Sequence, residues 1–528
     1  MPGTAHDNDE PRRPAGDADV AERGNPARRE IVAELQEALL PTALPVLPRA
    51  RIAARYLVAG QEQAAGGDWF DAIPLDGGGV ALVVGDVVGH GVAASAAMGQ
   101  LRAVLAELLA AEDDLGHVLR RTDAFAARMP SLRAATLVLV VLDPATGTVR
   151  YTTCGHPPPL VIGSDGNARY LEGTGTGPLG TGSPPVLASS ALAPGELVLL
   201  YSDGLIERPD RTVAEGMAEL AVVGAGAAAD RSLAPDADLA AAKRVCQQTV
   251  ELLTRTGHTD DVTALAAQWL AEPVPPLHLS LPSARSSLTT ARDAFAGWLS
   301  RLDVAPDDWE ALHLAMVEVF TNAIEHAYPR ESPGTVELDA SLDIDGSVVC
   351  LVTDHGTWRP PDPADADRGH GLMVAGHVVD KLLVSHPAEP STGTTVTLRH
   401  RLRRPAVLAP GQYGGLVAPA AEPPLTVDTS VAAGGTARAL VGGTVDITTA
   451  DRLARRLLSV SRGGTVPLVA DLTGVTQLAS AGVRALYEVS KQLAAHGQKL
   501  TLVTARGSVA HLLLDLVRLD HVTAEEGA

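Results

Sequence analysis

The sequence predicts a multidomain chain of mixed α/β and α+β units, and three observations carry that prediction. Its 528 residues, at ~150 per domain, call for three or four separate cores. Between about 50 and 270, short apolar strands alternate with turns, as in VALVVGDVV, ATLVLVVLDP and ELVLLYSDG, with helical stretches near 92–111 and 236–256. Farther along, a long helical tract gives way to strands over 278–403, and residues 425–528 alternate strand with helix.

Composition bounds the class of function. Apolar residues make up 46% of the chain and aromatics only 3%, so the cores are built from Ala, Val and Leu. Against 63 acidic residues stand 42 basic ones, leaving a net charge of −21. Such a surface repels phosphate backbones and anionic lipid, which argues against nucleic-acid and membrane partners. Cys154, Cys246 and Cys350 lie far apart with no CxxC pair, against a disulfide framework or a zinc cluster. No apolar run approaches the ~20 residues of a membrane helix. The first thirty residues lack the hydrophobic segment of a secretory signal. The expectation is a cytoplasmic protein.

In chain order, residues 1–28 mix charge with Pro and Gly and are predicted to be disordered. Residues 29–48 begin with an amphipathic helix, 29–40, striped by Ile31, Leu35 and Leu39 and ended by Pro41; a linker follows. A first folded unit covers 49–271, and PVPP at 273–276 forms a joint. A second covers 278–403, a Pro/Gly/Ala-rich linker 404–424, and a third unit 425–528.

Four acidic signatures stand at strand ends of the first unit: GGDWFD (66–71), GDVVGHG (85–91), YSDGL (201–205) and TDDVT (259–263). Each alone reads as an ordinary turn. Carboxylates held together without basic neighbours call for a cation, and hard oxygen donors suit Mg²⁺ or Mn²⁺. In this order, and with CGHPPPL (154–160), the four resemble the metal-dependent protein phosphatases (protein phosphatase 2C family), in their SpoIIE-like branch. The resemblance implies a β-sandwich flanked by helices that hydrolyses phosphoserine or phosphothreonine with a metal-activated water. It implies two or more Mn²⁺ or Mg²⁺ ions held by Asp68, Asp86, the Val87 carbonyl, Asp203 and Asp260, with Asp71 and Asp261 serving a further ion or supporting the ligands. His90 is either a general acid or a histidine capping its glycine loop. The helix at 29–40 sits where this branch carries a regulatory coupling helix.

The second unit has no GxxxxGK[ST] phosphate loop. It has a helix, 307–328, on which Glu318, Asn322 and His326 share a face beside an apolar stripe. That trio is either a solvated polar face or a base and a metal ligand aimed into a cleft. VTDHG (352–356), the glycine turn RGHGL (368–372) leading into a helix over 371–380, and GTTVTL (393–398) follow. Together these resemble the GHKL ATP-binding fold, an α/β sandwich, and within it the anti-sigma-factor serine kinases. The resemblance implies ATP–Mg²⁺ as cofactor, Glu318 as general base and Asn322 as Mg²⁺ ligand. It places Asp354 on the adenine amino group, Gly356 beside the base, Gly369 and Gly371 in the phosphate loop, and Thr395, or Thr394 in its stead, at the adenine edge.

The third unit contains PLVADLTGVTQLASAGVRALYEV (467–489), a buried strand followed by a helix that opens at Ser480. The serine is either a helix cap or a phosphoacceptor, since a helix start tolerates a phosphate dianion. The pattern resembles the STAS domain of anti-sigma-factor antagonists, in which Ser480 corresponds to the phosphorylated serine; Ala479 stands where that family usually has an acidic residue. The three units suggest one circuit: a metal-dependent serine/threonine phosphatase acting on a phosphorylated antagonist, with an attached kinase-like domain and antagonist domain. The expected partners are that antagonist and a sigma factor or anti-sigma kinase. The alternatives are a serine kinase/anti-sigma factor that the phosphatase resets, and a binding switch with secondary catalysis.

Overall fold

The computed structural model describes residues 39–41, 43–57, 66–89, 91–207, 211–230, 240–255, 260–328, 334–356, 370–385, 393–405, 424–431, 436–446, 448–516 and 519–524. The first unit contains β1 (Ala43–Pro45), β2 (Ala50–Leu57), β3 (Trp69–Pro74), β4 (Val80–Asp86), α1 (Val92–Ala111), α2 (Leu115–Arg128), β5 (Thr136–Leu142) and β6 (Thr148–Cys154). It continues with β7 (Leu160–Ile162), β8 (Ala168–Tyr170), β9 (Ala188–Ala191), β10 (Leu197–Tyr201), α3 (Val213–Ala228), α4 (Ala241–Leu253) and β11 (Val262–Trp269).

These strands form two five-stranded antiparallel sheets, ordered β2-β11-β10-β7-β8 and β3-β4-β5-β6-β9. The continuous apolar runs noted in the sequence exist because the central strands are covered on both faces. Along β10, Val198 and Leu200 join the core between the sheets, whereas Leu197, Leu199 and Tyr201 pack under α3 and α4. The result is a β-sandwich flanked by helices, as the resemblance implied.

Helix α1 follows the expected 92–111, and α4 replaces the stretch near 236–256. α2 and α3 are additions that the sequence reading did not mark. α1 is also long and apolar enough to cross a membrane, the one such helix among the described residues, which corrects the expectation that no run approaches that length. Its Met98, Leu101, Leu105 and Leu108 are buried in the sandwich core instead. Of the expected helix 29–40, only the last residues are described; residues 1–28, expected to be disordered, lie outside the described residues.

The second unit comprises β12 (Leu277–Pro282), α5 (Arg285–Ser300), α6 (Pro306–His326), β13 (Thr335–Leu342), β14 (Ser347–Asp354), α7 (His370–Val378), β15 (Lys381–Ser385), β16 (Thr394–Arg401) and β17 (Arg403–Pro405). Its antiparallel sheet runs β12-β13-β14-β16-β15. Strand residues alternate as a one-sided sheet requires: Val348, Cys350, Val352, Val396 and Leu398 meet Phe295, Met316 and Phe320 of the helices.

The third unit comprises β18 (Thr426–Val431), β19 (Ala437–Val445), α8 (Ala450–Val460), β20 (Leu468–Leu478), α9 (Ser480–Ala495), β21 (Leu500–Thr504), α10 (Val509–Leu516) and β22 (His521–Thr523). β18 pairs antiparallel with β19, and β19 through β22 run parallel.

Two joints connect the units. β1 pairs with β17, Ala43 opposite Pro405, so strand pairing continues into the start of the expected linker 404–424. Arg404 beside that ribbon is buried; it donates to the carbonyls of Ile52 (2.8 Å) and Leu302 (3.2 Å) and pairs with Asp303 (3.2 Å). At the other joint, Ala450, Ala479, Ala481 and Ala485 of the third unit are buried in the core of the second.

Candidate functional site

Strand register gathers the four acidic signatures. Trp69 lies opposite Gly85, so Asp68 before β3 and Asp86 at the end of β4 are neighbours. Tyr201 lies opposite Ala264, which sets Asp203, just past β10, beside Asp260 and Asp261, just before β11. The two sheets are stitched together here. Thr263 donates from Oγ1 to Asp68 Oδ2 at 2.9 Å and from its backbone N–H to Ser202 Oγ at 2.9 Å.

The electrostatics report a crowd of like charges. Burial pushes the Asp68 carboxyl well above its usual range, reinforced by Asp86, Asp261 and Asp203 and opposed by a hydrogen bond from Ser202. Asp86 rises to about 7, through burial and then through Asp203, Asp260 and Asp261. Asp203 rises by burial, with Glu207 and Asp260 adding to it. Among the described residues no three of these carboxylates bring one oxygen each within 4.8 Å of one another. The donors are hard oxygens, as Mg²⁺ and Mn²⁺ require.

The double glycine before Asp68 is required by close approach. A Cβ on Gly67 would overlap the Val87 carbonyl oxygen and lie 2.8 Å from Asp86 Oδ1; one on Gly66 would overlap the Asp261 carboxylate. The Val87 carbonyl, an expected ligand, is therefore on the inner side with Asp86.

Besides Thr263, three supporting residues escaped the sequence reading. His156, in CGHPPPL, is buried and spans Thr136 Oγ1 (Nδ1, 2.9 Å) and the Tyr201 carbonyl (Nε2, 3.0 Å). A carbonyl only accepts, so Nε2 carries the proton and Nδ1 accepts from the hydroxyl. Because Thr136 is opposite Asp86, this ring ties the strand ends bearing Asp86 and Asp203. Burial lowers its pKa to about 4. Arg102 of α1 pairs with Asp71 at 2.9 Å and also donates to the Leu39 carbonyl at 3.0 Å. Asp71 is thus engaged by a cation already, and Ser202 is the third support. His90 lies outside the described residues.

In the second unit, the face shared by Glu318, Asn322 and His326 grades from the interior outward: Glu318 is buried, Asn322 half-buried and His326 exposed. Asp354, at the end of β14, is buried and accepts from the Gly356 N–H at 2.9 Å. Burial raises its pKa, partly offset by backbone N–H groups of Gly356 and Thr394. A Cβ on Gly356 would overlap the Ala327 carbonyl oxygen, so glycine lets the chain after Asp354 pass beneath the end of α6. Thr394 lies directly opposite Asp354 and is buried on the helix-covered face. Thr395 pairs with Thr353 on the other face, their hydroxyls 3.1 Å apart. The threonine beside Asp354 is therefore Thr394 rather than Thr395, because successive strand residues point to opposite faces. Gly371 is buried in the first turn of α7; Gly369 and the stretch 357–368 lie outside the described residues.

Ser480 is the first residue of α9, and the cap is Ala479, which has no side-chain acceptor. The alternative in which Ser480 itself caps the helix is thereby replaced. The start of α9 rests on the second unit. Arg484 reaches Glu325 of α6 at 3.3 Å, Arg285 of α5 reaches the same carboxylate at 3.6 Å, and Arg292 of α5 reaches the buried Asp446 at 3.0 Å. Glu325 lies two turns along α6 from Glu318, roughly 10 Å of helix.

Comparison with known proteins agrees with this division. Residues 76–270 match the family described as Stage II sporulation protein E (SpoIIE), 281–400 the histidine kinase-like ATPase domain, and 440–524 the STAS domain. The chain is similar to the crystal structure of the RsbU and RsbW domains of Rv1364c from Mycobacterium tuberculosis, at 40% identity, over 70% of this chain and 98% of that one, with a TM-score of 0.62. It is 28% identical over 206 residues to Protein IcfG of Synechocystis sp., covering 33% of this chain and 32% of that protein. It is 30% identical over 106 residues to the Serine-protein kinase RsbW of Bacillus velezensis, 20% of this chain and 64% of that kinase. The chain thus spans about a third of the length of Protein IcfG and just under two thirds of the kinase. The chain belongs to the RsbU–RsbW family, with a SpoIIE-type domain, a histidine kinase-like ATPase domain and a STAS domain in that order.

Proposed function

We propose that the chain is a divalent-metal-dependent protein serine/threonine phosphatase of sigma-factor partner switching, acting in the cytoplasm on a phosphorylated anti-sigma-factor antagonist. The observation that carries this reading is the set of carboxylates that both sheets bring together, in which burial first and like charge second raise the pKa of Asp68, Asp86 and Asp203. In this reading Asp68, Asp86, the Val87 carbonyl, Asp203 and Asp260 would hold two or more Mn²⁺ or Mg²⁺ ions, which would supply Lewis acidity to a water and to the phosphoryl group. The protein's own contribution is to fix those donors before the substrate arrives. Thr263 and Ser202 orient Asp68, His156 sets the spacing of the strand ends, and Gly66 and Gly67 admit the carbonyl and carboxylate oxygens. Purified Asp86→Asn and Asp203→Asn variants, assayed on a phosphorylated antagonist with Mn²⁺ or Mg²⁺, test the proposal. Loss of metal-dependent release of phosphate is expected; undiminished, metal-independent release overturns it.

The second domain, in the same reading, binds ATP–Mg²⁺ between its helices and sheet. Asn322 would hold the ion, Asp354 with Thr394 the adenine, Gly356, Gly369 and Gly371 the close approaches, and Glu318 would accept the proton of an attacking hydroxyl. One observation favours phosphoryl transfer within the chain: the helix that opens at Ser480 is docked on α5 and α6. Labelled ATP added to the full chain tests this, with incorporation at Ser480 expected and its loss in Glu318→Gln. Incorporation at Ser480 that survives Glu318→Gln removes Glu318 from that role.

A further inference from the structure

Outside these sites, the C-terminal edge of the STAS domain brings together two imidazoles and a carboxylate. His511 and Asp515 lie one turn apart on α10, and His521 opens β22. One ligand atom from each lies within 4.8 Å of the other two. His511 Nδ1 is 2.9 Å from His521 Nε2, and His521 Nε2 is 3.6 Å from Asp515 Oδ1. The other His511 nitrogen, Nε2, is 3.7 Å from Asp515 Oδ2.

Proton accounting shows what is missing. His521 Nδ1 is 2.9 Å from the Leu519 carbonyl, which only accepts, so this nitrogen carries the proton and the neutral ring presents a bare Nε2. That lone pair faces both a carboxylate oxygen and His511 Nδ1. If His511 holds its proton on Nε2, the proton points to Asp515 Oδ2, and two lone pairs then meet 2.9 Å apart. If it holds the proton on Nδ1, that N–H donates to His521 Nε2 at 2.9 Å, and the bare Nε2 lies 3.7 Å from the exposed Asp515 carboxylate. The first tautomer leaves lone pairs opposed, and a cation seated against both imidazole nitrogens and the carboxylate gives each of them a partner.

We propose that His511 Nδ1, His521 Nε2 and Asp515 Oδ1 form a site for a borderline first-row divalent ion, with Zn²⁺ as the ion it takes, clipping α10 to the edge strand β22. Tetrahedral zinc, with bonds of about 2.0–2.2 Å, places its ligand atoms roughly 3.3 Å apart, a value bracketed by the spacings here. Two imidazoles and one carboxylate are softer than the all-oxygen set of the sandwich and select Zn²⁺ over Mg²⁺. His521 already has the outer hydrogen-bond partner that fixes a metal-ligating histidine, the Leu519 carbonyl on its Nδ1, while the outer nitrogen of His511 faces Asp515 Oδ2 at 3.7 Å, too far for a hydrogen bond. The side chain of Asp515 is 64% exposed and that of His521 only 7%, so the ion has a way in and a buried seat. Three protein ligands leave a fourth position for water.

The test uses the full chain, stripped with chelator and held in excess Mg²⁺ to fill hard oxygen sites, then titrated with Zn²⁺. The wild type is expected to take up one equivalent more tightly than Asp515→Asn or His521→Gln, by more than ~10-fold, since even an outer partner of a metal ligand is worth that much. Cobalt substitution should give the intense visible bands of four-coordinate Co²⁺ in the wild type and lose them in both variants. Hydrogen exchange at 521–523 should slow on adding Zn²⁺ to the wild type only. Because Asp515 is on the surface, Asp515→Asn keeps the fold, and its Mg²⁺-supported phosphatase activity should be unchanged. Equal Zn²⁺ uptake by wild type and both variants, or exchange at 521–523 that ignores Zn²⁺, overturns the proposal and leaves a proton shared between the two rings.

Discussion

Asp86, at the end of β4, and Asp203, just past β10, come from opposite sheets of the sandwich, and Asp203 raises the pKa of Asp86 more than any other carboxylate does. Neither strand alone would make that contact, so the centre belongs to the sandwich and not to either sheet.

Removing one of these charges should help the metal-free fold while harming the reaction. Asp86→Asn is expected to lower metal-dependent hydrolysis by at least ~10²-fold, as loss of one preorganised electrostatic group typically does. The same variant should be more stable than wild type without metal, by on the order of 1 kcal/mol, because burial and like charge both oppose ionised Asp86. Urea midpoints with chelator present check this, and Mn²⁺ should reverse the ranking.

Gly67→Ala should disable the centre without removing an ionisable group, although its Cβ would lie 2.8 Å from Asp86 Oδ1. Its Cβ would overlap the Val87 carbonyl, so β3 and β4 must part at the strand end. The expected loss is a few kcal/mol of stability, on the scale of overpacking (~1–3 kcal/mol), together with weakened metal activation. Calorimetry of the full chain and an Mn²⁺ titration of activity measure the two effects.

His156 predicts a pH response in the acid range. Its folded pKa is about 4 against an unfolded value of 6.5, because burial disfavours the charged ring. Between those values the unfolded chain takes up a proton that the folded chain refuses, so stability falls as pH drops from about 6.5 to about 4. The contribution approaches ~3 kcal/mol at the low end and vanishes above the unfolded pKa. His156→Gln should flatten that part of the stability–pH curve in urea titrations and lower activity at neutral pH by loosening the strand ends.

The docked helix of the STAS domain gives a fourth expectation. Glu325→Ala or Arg484→Ala should change stability by no more than about 1 kcal/mol, since the pair is partly solvated. Labelling of Ser480 from ATP should nevertheless fall several-fold, and the exchanged pair Glu325→Arg with Arg484→Glu should recover part of it. Labelling unaffected by any of the three would detach the contact from the transfer.

The sequence was most legible where one physical demand acted alone. Apolar runs marked β4, β5 and β10 because both faces are covered, and the aspartates beside them were visible as strand-end motifs. Helix α3 was illegible because it carries Gly216 and Gly224, each costing about 1 kcal/mol of helix propensity. Tertiary packing overrides that cost: a Cβ at Gly216 would overlap the Ile206 carbonyl, and one at Gly224 would press on Ile162. The roles of His156, Thr263 and Arg102 were hidden because each depends on register between strands and helices distant in sequence. Thr394 and Thr395 differ only in which face of β16 they occupy, which adjacent letters do not reveal until pairing with Asp354 fixes the phase.

The short ribbon of β1 with β17, fastened by Arg404, has a mechanical meaning. The polypeptide enters the phosphatase and leaves the ATPase through the same seam. A tug applied ahead of residue 43 and one applied past 405 therefore load the same pair of strands, where the first and second units are joined.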